Sequence, residues 1–466
     1  MIDPDDFRSW DGVAMAELVR SGQVSASELD ATCRALIDDA ADLNATGAVA
    51  PAAIADERAD GPFAGVPFAV KELLAVPGLP WTMGSRLMAA AEAGPASPYL
   101  QRLLASGLRI IAATTSSEFG LLGSTETALH GITRNPWDPT RSAGGSSGGS
   151  AALVAAGIVP LAHASDGGGS IRYPAAMTGT FGFKPSIHRT EPVGPDLGGL
   201  TSLVYEHAIT RTVRDSAVLL AATERTGAEA VHPPIGTITG PDDRRLRVAL
   251  VEHTIPGALP DPSVRDALHR TASLLAELGH DIVDAPEPRY DGAALSRGFF
   301  AAAASTMGGV SAMVASMLGR PPGPDELEPF TLELIAWGAT LPADEAERGH
   351  AAFRIATATY LEQFARCDVV LSPTVTRPPW PIGTLAPELG REELIARTED
   401  LVGYTPIHNI AGAPAMSVPL ETVDGLPVGM HLAAAPGDDA TLLHLAYELE
   451  AARPWIDRSP PAPTVR

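Results

Sequence analysis

The sequence predicts an α/β fold from three observations. Segments with the alternating pattern of strands and segments with the spacing of amphipathic helices follow each other along most of the chain. The 466 residues are 45% hydrophobic, which is enough to bury a large core in one big α/β domain or in two smaller ones. Two glycine runs that carry serines, residues 144–150 and 165–172, enclose an apolar segment, and a flexible linker has no reason to enclose a buried helix and strand.

The individual elements support that fold class in chain order. Ser25 and Glu28 form a capping box in front of a helix. Residues 66–70 alternate in hydrophobicity as a strand does, and this strand ends at Lys71 and Glu72. The same rhythm continues through these segments: a helix from Pro98, a strand at 109–113, a helix at 213–224, a strand at 248–251, a helix at 262–278, a hairpin turn at Asp424 and Gly425, and a last helix around 442–449.

Charge and cysteine content exclude several classes of partner. The chain has 33 basic and 56 acidic residues, a net charge of −23, which repels nucleic-acid phosphates and anionic lipid surfaces. We therefore expect no nucleic-acid or membrane partner and a preference for neutral or cationic ligands. Cys33 and Cys367 are too few for a disulfide framework, the acidic N-terminus is unlike a secretion leader, and no uninterrupted apolar run reaches membrane-spanning length. These features predict a soluble cytoplasmic protein.

The segment from about 292 to 345 differs in character from the rest of the chain. It carries a pair of adjacent phenylalanines, a run of alanines and several methionines. Methionine on a helix is most often core filler, but it can also form the soft apolar wall of a binding pocket, and the sequence leaves both interpretations open. The large apolar side chains in question are Phe299, Phe300, Met307, Met313, Met317 and Trp337.

Several familiar kinds of site fit the glycine runs poorly. Residues 144–148 match the letters of a nucleophile elbow, but an elbow follows directly on a strand and this run follows loop residues. His163, Asp166 and Ser170 crowd into one strand and turn, where they cannot line up as a catalytic triad. No lysine follows either run as a phosphate-binding loop requires, and the twelve histidines show no metal-ligand spacing, so we expect no metal and no cofactor. A site with a lysine base remains.

Lys71, Ser146 and Ser170 stand in three motifs whose order and spacing are typical of one family. Lys71 lies in GVPFAVKE at residues 65–72, Ser146 in GGSSGGSA at 144–151, and Ser170 in DGGGSIR at 166–172. With these motifs the chain resembles the amidase signature family of serine hydrolases. Supporting matches extend along nearly the whole chain: Asn135-Pro136-Trp137, Lys184-Pro185-Ser186, Arg211-Thr212-Val213, Asp368-Val369, Pro373-Thr374 and residues 409–419.

The resemblance implies an amide hydrolase that works through a Ser–cisSer–Lys triad. Ser170 would be the nucleophile that forms a covalent acyl-enzyme, and Lys71 would be the base. Ser146, held by a cis peptide bond after Gly145, would pass a proton between them. A lysine accepts a proton only when it is neutral, and burial among apolar neighbours favours the neutral form.

The resemblance also implies the supporting parts of the site and the fold around them. The oxyanion hole would consist of the backbone N–H groups of Gly167, Gly168, Gly169 and Ser170. The supporting residues would be Asp166, Arg172 and Ser147. The implied fold is a large mixed β-sheet core covered by helices on both faces. It would form a single domain over residues 1–466, with a signature core at about 62–215 and a substrate-pocket segment at about 292–345.

Two positions depart from the family pattern. Gly167 stands where the family usually has threonine or another residue with a side chain, which predicts a looser oxyanion loop. His188, followed by Arg189, stands where the Lys-Pro-Ser/Thr stretch commonly continues with glycine, which is either a polar pair at the rim of the site or an ordinary surface pair. The candidate substrate-binding residues are His188, Arg189, Met307 and Trp337.

The overall likeness is to stand-alone bacterial amidases of the nylon-oligomer and aryl-amide kind and to carbamate-cleaving members of the family, the urethanases. We therefore expect a small neutral amide or an aryl carbamate as substrate, and a monomer or homodimer. The alternative within the family is the glutaminase subunit of a tRNA-dependent amidotransferase, which would need partner subunits. The alternative of another class is a non-catalytic ligand-binding module, against which the complete set of Lys71, Ser146 and Ser170 argues.

Overall fold

An eleven-stranded mixed β-sheet forms the centre of the computed structural model, which describes residues 2–193, 199–284 and 287–461. The strands are β1 (Thr46–Ile54), β2 (Pro67–Lys71), β3 (Arg109–Thr114), β4 (Glu126–Thr127), β5 (Gly131–Ile132), β6 (Arg134–Asn135), β7 (Asp138–Ser142), β8 (Leu161–Asp166), β9 (Phe181–Lys184), β10 (Tyr205–Thr210), β11 (Arg247–Leu250), β12 (Asp281–Val283), β13 (Val369–Pro373), β14 (Ala415–Val423) and β15 (Leu426–Ala433). The order across the large sheet is β1-β3-β2-β8-β10-β9-β14-β15-β13-β11-β12, while β4 pairs with β5 and β6 pairs with β7 outside it.

The large sheet mixes parallel and antiparallel pairs. β2 is parallel to β3 and β8, and β11 is parallel to β12 and β13. Between these two groups, the neighbours from β8 through β10, β9, β14 and β15 to β13 are antiparallel. The sheet is therefore mixed, as the sequence predicted.

Helices pack against this sheet. They are α1 (Pro4–Ser9), α2 (Gly12–Arg20), α3 (Ala26–Asp39), α4 (Pro98–Ala105), α5 (Gly148–Ala155), α6 (Arg172–Thr178), α7 (Val213–Thr223), α8 (Pro262–Glu277), α9 (Gly292–Leu318), α10 (Pro329–Gly338), α11 (Glu345–Glu362), α12 (Arg391–Leu401), α13 (Pro406–Ile410) and α14 (Asp439–Ala452). Every residue of β2, β8, β10 and β15 is buried, which requires cover on both faces of the sheet. The predicted α/β class is confirmed.

The local signals of the sequence place the site motifs. The capping box of Ser25 and Glu28 is present at the start of α3, and β2 ends at Lys71 as expected. The first glycine run leads into α5, and the second lies between β8 and α6. Because β2 and β8 are parallel neighbours, their carboxyl ends meet at the same edge of the sheet. Lys71 and the second glycine run are thereby brought together.

Helix α9 departs from one expectation. Among the described helices it is long and apolar enough, by length and composition, to cross a membrane, so the prediction that no segment reaches that length is wrong for these 27 residues. Its many alanines and its methionines raise the mean hydropathy without forming an uninterrupted run of large apolar side chains. The helix packs against α10 and α11, and 39% of its most apolar window is buried inside the protein. Core helices of soluble proteins also meet this criterion.

Candidate active site

The amine of Lys71 lies at the centre of a buried serine cluster. Lys71 is the last residue of β2 and has no exposed surface. Its Nζ lies 2.7 Å from Ser146 Oγ and 3.1 Å from Ser165 Oγ, with the carbonyl oxygen of Ser165 at 3.4 Å. The predicted burial of Lys71 and its proximity to Ser146 are both present.

Burial also changes the acidity of Lys71. Removal of the ammonium group from water lowers its pKa from the usual 10.5 to about 7, against the charges of Glu206, Asp166 and Glu72, which raise it. At neutral pH a large share of the Lys71 side chains is therefore unprotonated. An unprotonated amine accepts a proton from a hydroxyl group at hydrogen-bond distance.

Ser146 is held in a tightly packed turn. The Gly145–Ser146 peptide bond is cis, as predicted, and Ser146 is buried. Ser147 is also buried at the start of α5, with its Oγ 3.4 Å from the carbonyl oxygen of Ser165. A side chain at Gly149 would collide with the backbone of Thr115, so this position requires glycine. The first glycine run is thus a packed structure and not a flexible linker.

Ser170 lies in the second glycine run and faces a cavity. It is 9% exposed and lines that cavity together with Gly167 and Gly168. Within the described part of the chain, its hydroxyl has no hydrogen-bond partner, and no hydrogen bond joins it to Ser146. The geometry therefore joins Lys71 to Ser146 directly and leaves the Ser170 hydroxyl open toward the cavity.

The backbone around Ser170 offers several free donors. No acceptor among the described residues takes the N–H groups of Gly167, Gly168, Gly169 or Ser170. An anion or a polarised oxygen beside Ser170 would accept hydrogen bonds from such groups. The free N–H groups agree with the function that the resemblance implies for residues 167–170.

An ion pair buried beneath this loop holds it to the sheet. Arg172 Nη2 lies 2.8 Å from Asp166 Oδ1, and neither side chain is exposed. Asp166 Oδ2 also accepts from the backbone N–H of Ile171, and Asn409 Nδ2 donates to Asp166 Oδ1 at 2.9 Å. Burial alone would raise the pKa of Asp166, but the charge and hydrogen bonds of Arg172 and the amide of Asn409 hold that pKa well below its ordinary value. Asp166 and Arg172 therefore brace the loop, as predicted.

The cavity in front of Ser170 is apolar. It is lined by the glycine loop, Tyr173, α9 and α10. Of the described residues that line it, only Glu399 carries a charge. The large apolar lining residues are Leu121, Leu122, Leu200, Ile255, Leu295, Phe299, Phe300, Phe330, Leu334, Val402 and Ile410. An uncharged group with an apolar body fits such walls.

Comparison with known proteins agrees with this geometry. A family model described as Amidase matches residues 18–443. The chain belongs to the amidase signature family. It is 34% identical over 492 residues to the 6-aminohexanoate-cyclic-dimer hydrolase of Paenarthrobacter ureafaciens, covering 97% of this chain and 96% of the relative. This amidase is thus similar over nearly its whole length to a 6-aminohexanoate-cyclic-dimer hydrolase.

Solved structures show the same fold. The structure of 6-aminohexanoate cyclic dimer hydrolase complexed with substrate has a TM-score of 0.87 and 30% identity, covering 97% of this chain and 99% of that one. The structure of a bacterial aryl acylamidase of the amidase signature family has a TM-score of 0.83 and 27% identity, covering 96% and 97%. Hydrolysis of an amide-type C–N bond is therefore the activity of this amidase.

Four side chains suggested for substrate binding lie away from the cavity of the amidase. Arg189 is buried, and its guanidinium forms ion pairs with Asp439 and Glu224 that stabilise the fold. His188 is exposed and has a left-handed backbone, in keeping with an ordinary turn residue. Met307 is buried in the core, and Trp337 stacks with the guanidinium of Arg391, at 4.7 Å from the ring centroid. None of the four is among the described residues that line the cavity.

The segment 292–345 nevertheless forms the predicted wall of the cavity, through other side chains. Phe299 and Phe300 lie on the face of α9 that lines the cavity. Met313 and Met317 follow on the same helix but are 58% and 77% exposed. The composition indicated the segment that lines the cavity. The position of each residue around α9 determines which side chains of that segment reach the cavity.

The sequence analysis assigned no role to three polar side chains in or near this cluster. Ser165 provides a second hydroxyl group within hydrogen-bond distance of the Lys71 amine. Glu206, on the adjacent strand β10, pairs with His163, with His163 Nε2 at 2.8 Å from Glu206 Oε2. Asn409 reaches Asp166 from a distant part of the chain. Ser165 is the first residue of the second glycine run and Asn409 opens the supporting match at 409–419, but neither pattern indicates what the side chain contacts, and Glu206 carries no local signal.

Proposed function

We propose that this amidase hydrolyses small neutral amides and aryl carbamates through a covalent intermediate on Ser170, with Ser146 and Lys71 as its proton relay. The observation that carries the proposal is the buried Lys71 amine at 2.7 Å from Ser146 Oγ, together with Ser170 in the lining of the cavity. The lowered pKa of Lys71 supplies a base that functions at neutral pH.

The reaction proceeds in two steps. Neutral Lys71 takes the proton of Ser146, Ser146 takes the proton of Ser170, and the Ser170 oxygen bonds to the substrate carbonyl carbon. The resulting oxyanion accepts hydrogen bonds from the free N–H groups of residues 167–170. The C–N bond then breaks as the proton returns through Ser146 to the leaving nitrogen. In the second step water repeats the attack on the acyl group and releases Ser170.

The cavity and the overall charge favour neutral substrates with an apolar body. Phe299, Phe300 and Phe330 offer contacts to an aromatic or aliphatic group, and a net charge of −23 disfavours anions. Carbamates fit the same chemistry because they present a carbonyl group and a leaving nitrogen to the same nucleophile. Support for amides of this kind also comes from the two related enzymes, whose names describe a cyclic 6-aminohexanoate dimer and aryl acylamides.

Glutamine fits this cavity poorly. Free glutamine carries a carboxylate, and a site for it needs a cationic side chain or a set of directed donors. The described residues that line the cavity include no lysine or arginine, and Glu399 would repel the carboxylate. A glutaminase subunit is therefore the less favoured assignment.

A labelling experiment and a substrate panel test the proposal. A fluorophosphonate probe should modify Ser170 in the wild type and should not modify Ser170→Ala. Ser296→Ala is a matched control, because Ser296 lines the same cavity on α9, and it should still be labelled. An unlabelled but folded wild type would favour a binding module. Rates for an aryl acetamide, an N-aryl carbamate and glutamine should fall in that order, and glutamine as the best substrate would overturn the substrate assignment.

A further inference from the structure

Two hydroxyl groups hold the peptide between Gly168 and Gly169 in one orientation. Tyr173 Oη donates to the carbonyl oxygen of Gly168, and Thr405 Oγ1 lies 2.5 Å from the same oxygen. Thr405 Oγ1 also lies 2.6 Å from Tyr173 Oη. The two available protons are used if Thr405 donates to Tyr173 and Tyr173 donates to Gly168. This hydroxyl pair, Tyr173 and Thr405, packs against the glycine loop, and Tyr173 also lines the cavity.

The hydroxyl pair is built into the protein core. Tyr173 is 5% exposed and Thr405 is fully buried, so water does not compete for the Gly168 oxygen. The carbonyl group of Thr405 accepts from Arg172 Nη1 at 3.1 Å, which ties this residue to the ion pair beneath the loop. Burial also raises the pKa of Tyr173, so its hydroxyl stays protonated and remains a donor.

Gly169 shows that the loop and the hydroxyl pair fit closely together. Its φ of +138° is a conformation that side chains disfavour, and a Cβ atom there would overlap the Tyr173 ring and the Thr405 hydroxyl. The backbone N–H of Tyr173 donates to the carbonyl oxygen of Gly169 at 2.7 Å. Both carbonyl oxygens of the Gly168–Gly169 pair are thus held by groups of Tyr173 that pack against the loop.

The geometry of a planar trans peptide determines the direction in which the N–H of Gly169 points. In such a unit the N–H and the C=O point in opposite directions. Because Tyr173, held in turn by Thr405, donates to the Gly168 oxygen, the N–H of Gly169 points to the other side of this peptide. That N–H has no acceptor within the described residues and lies between two residues, Gly168 and Ser170, that line the cavity.

We propose that Tyr173 and Thr405 are positioning residues that aim the Gly169 N–H at the reacting carbonyl oxygen beside Ser170. The inference rests on the proposed function of Ser170 and extends it to two side chains that do not take part in the proton relay. Tyr173 and Thr405 should stabilise the transition state and not the bound substrate, because the oxyanion forms only as the reaction proceeds. They should therefore change kcat and leave KM almost unchanged.

Three single-site variants test the proposal with an aryl acetamide as substrate. Tyr173→Phe and Thr405→Val remove one hydroxyl each, and each should lower kcat by roughly tenfold to a hundredfold, the range expected for a misaligned catalytic donor. KM should stay within about twofold. Thr405→Ser keeps the hydroxyl and should recover most of the rate. Affinity for an aryl trifluoromethyl ketone, which forms a tetrahedral adduct, should fall by the same factor as kcat/KM.

A matched control separates this effect from general damage to the core. Tyr404→Phe removes a buried tyrosine hydroxyl that donates to a backbone carbonyl, that of Glu252, away from the glycine loop, and it should keep wild-type kcat. Thermal unfolding identifies any variant that is not folded. A folded Tyr173→Phe and a folded Thr405→Val with wild-type kcat, or with changes in KM alone, would overturn the inference while the wild-type activity still stands. A wild type without amidase activity would overturn the proposed function and this inference with it.

Discussion

The acidity of Lys71 sets the pH range in which this amidase is active. Its pKa of about 7 against the usual 10.5 corresponds to about 5 kcal/mol, at 1.36 kcal/mol for each pKa unit. At pH 7 about half of the Lys71 side chains are then neutral, whereas an ordinary lysine is neutral in roughly one molecule in 3,000. We expect kcat/KM for a neutral aryl acetamide to rise through pH 7 and to level off about one pH unit above it.

The variant Glu206→Gln tests whether Lys71 causes this rise. Burial lowers the pKa of Lys71, and among the charges that oppose it Glu206 is the largest. Loss of that charge should move the rise in activity to lower pH, while the uncharged amide of this variant can still contact His163. Glu450→Gln is a matched control, because Glu450 lies on α14 and is not among the charges that act on Lys71. Initial rates between pH 5.5 and 9.5 provide the measurement. An unchanged profile in Glu206→Gln, or a normal profile in Lys71→Met, would refute the assignment.

Three further predictions follow from the same contacts. The pKa of Lys71 is lower in the folded than in the unfolded chain, so the folded protein loses stability as pH falls from 10.5 to about 7. In urea unfolding, Lys71→Met should therefore be more stable than the wild type at pH 7, by up to about 5 kcal/mol. Above pH 10.5 the substitution should bring no gain through this effect. Burial and the charge of Glu118 raise the pKa of Glu328 to about 8, so the stability that the protonated carboxyl allows below pH 4.5 is lost as pH rises to 8. Glu328→Gln should therefore be more stable than the wild type by several kcal/mol at pH 9 and equally stable at pH 4. Phe299→Ala should raise KM for an aryl acetamide by roughly tenfold or more, at about 1.5–3 kcal/mol for a buried apolar side chain, whereas the exposed Met317→Ala should not.

The sequence was sufficient for the parts of the site that depend on local chemistry. Strand alternation put Lys71 at the end of β2, and the glycine runs put Ser146 and Ser170 at tight turns next to buried elements. The family resemblance supplied the cis peptide bond and the order of the three residues. Each of these features is encoded within about ten residues, where glycine, serine and strand patterns act directly on the backbone.

The sequence was not sufficient for contacts between distant parts of the chain. Thr405 meets Tyr173 across 232 positions, and Arg189 meets Asp439 across 250. Such pairs depend on the strand order of the sheet, which no local pattern encodes. A polar pair such as His188 and Arg189 therefore suggested a binding site, although the fold uses Arg189 for buried ion pairs.

A protein with a net charge of −23 is an unfavourable place for a neutral lysine, because negative charges stabilise the ammonium form. Distant surface charges matter little, since salt screens them beyond about 8–10 Å. The carboxylates that do act on Lys71 are Glu206, Asp166 and Glu72, and each has a partner of its own: His163 for Glu206, Arg172 for Asp166 and His130 for Glu72. Arg172 forms an ion pair with Asp166, and Ser116 and Thr82 donate hydrogen bonds to Glu72. Burial of the amine outweighs the attraction of these three carboxylates, and this burial, more than the net charge of the chain, keeps Lys71 able to accept a proton.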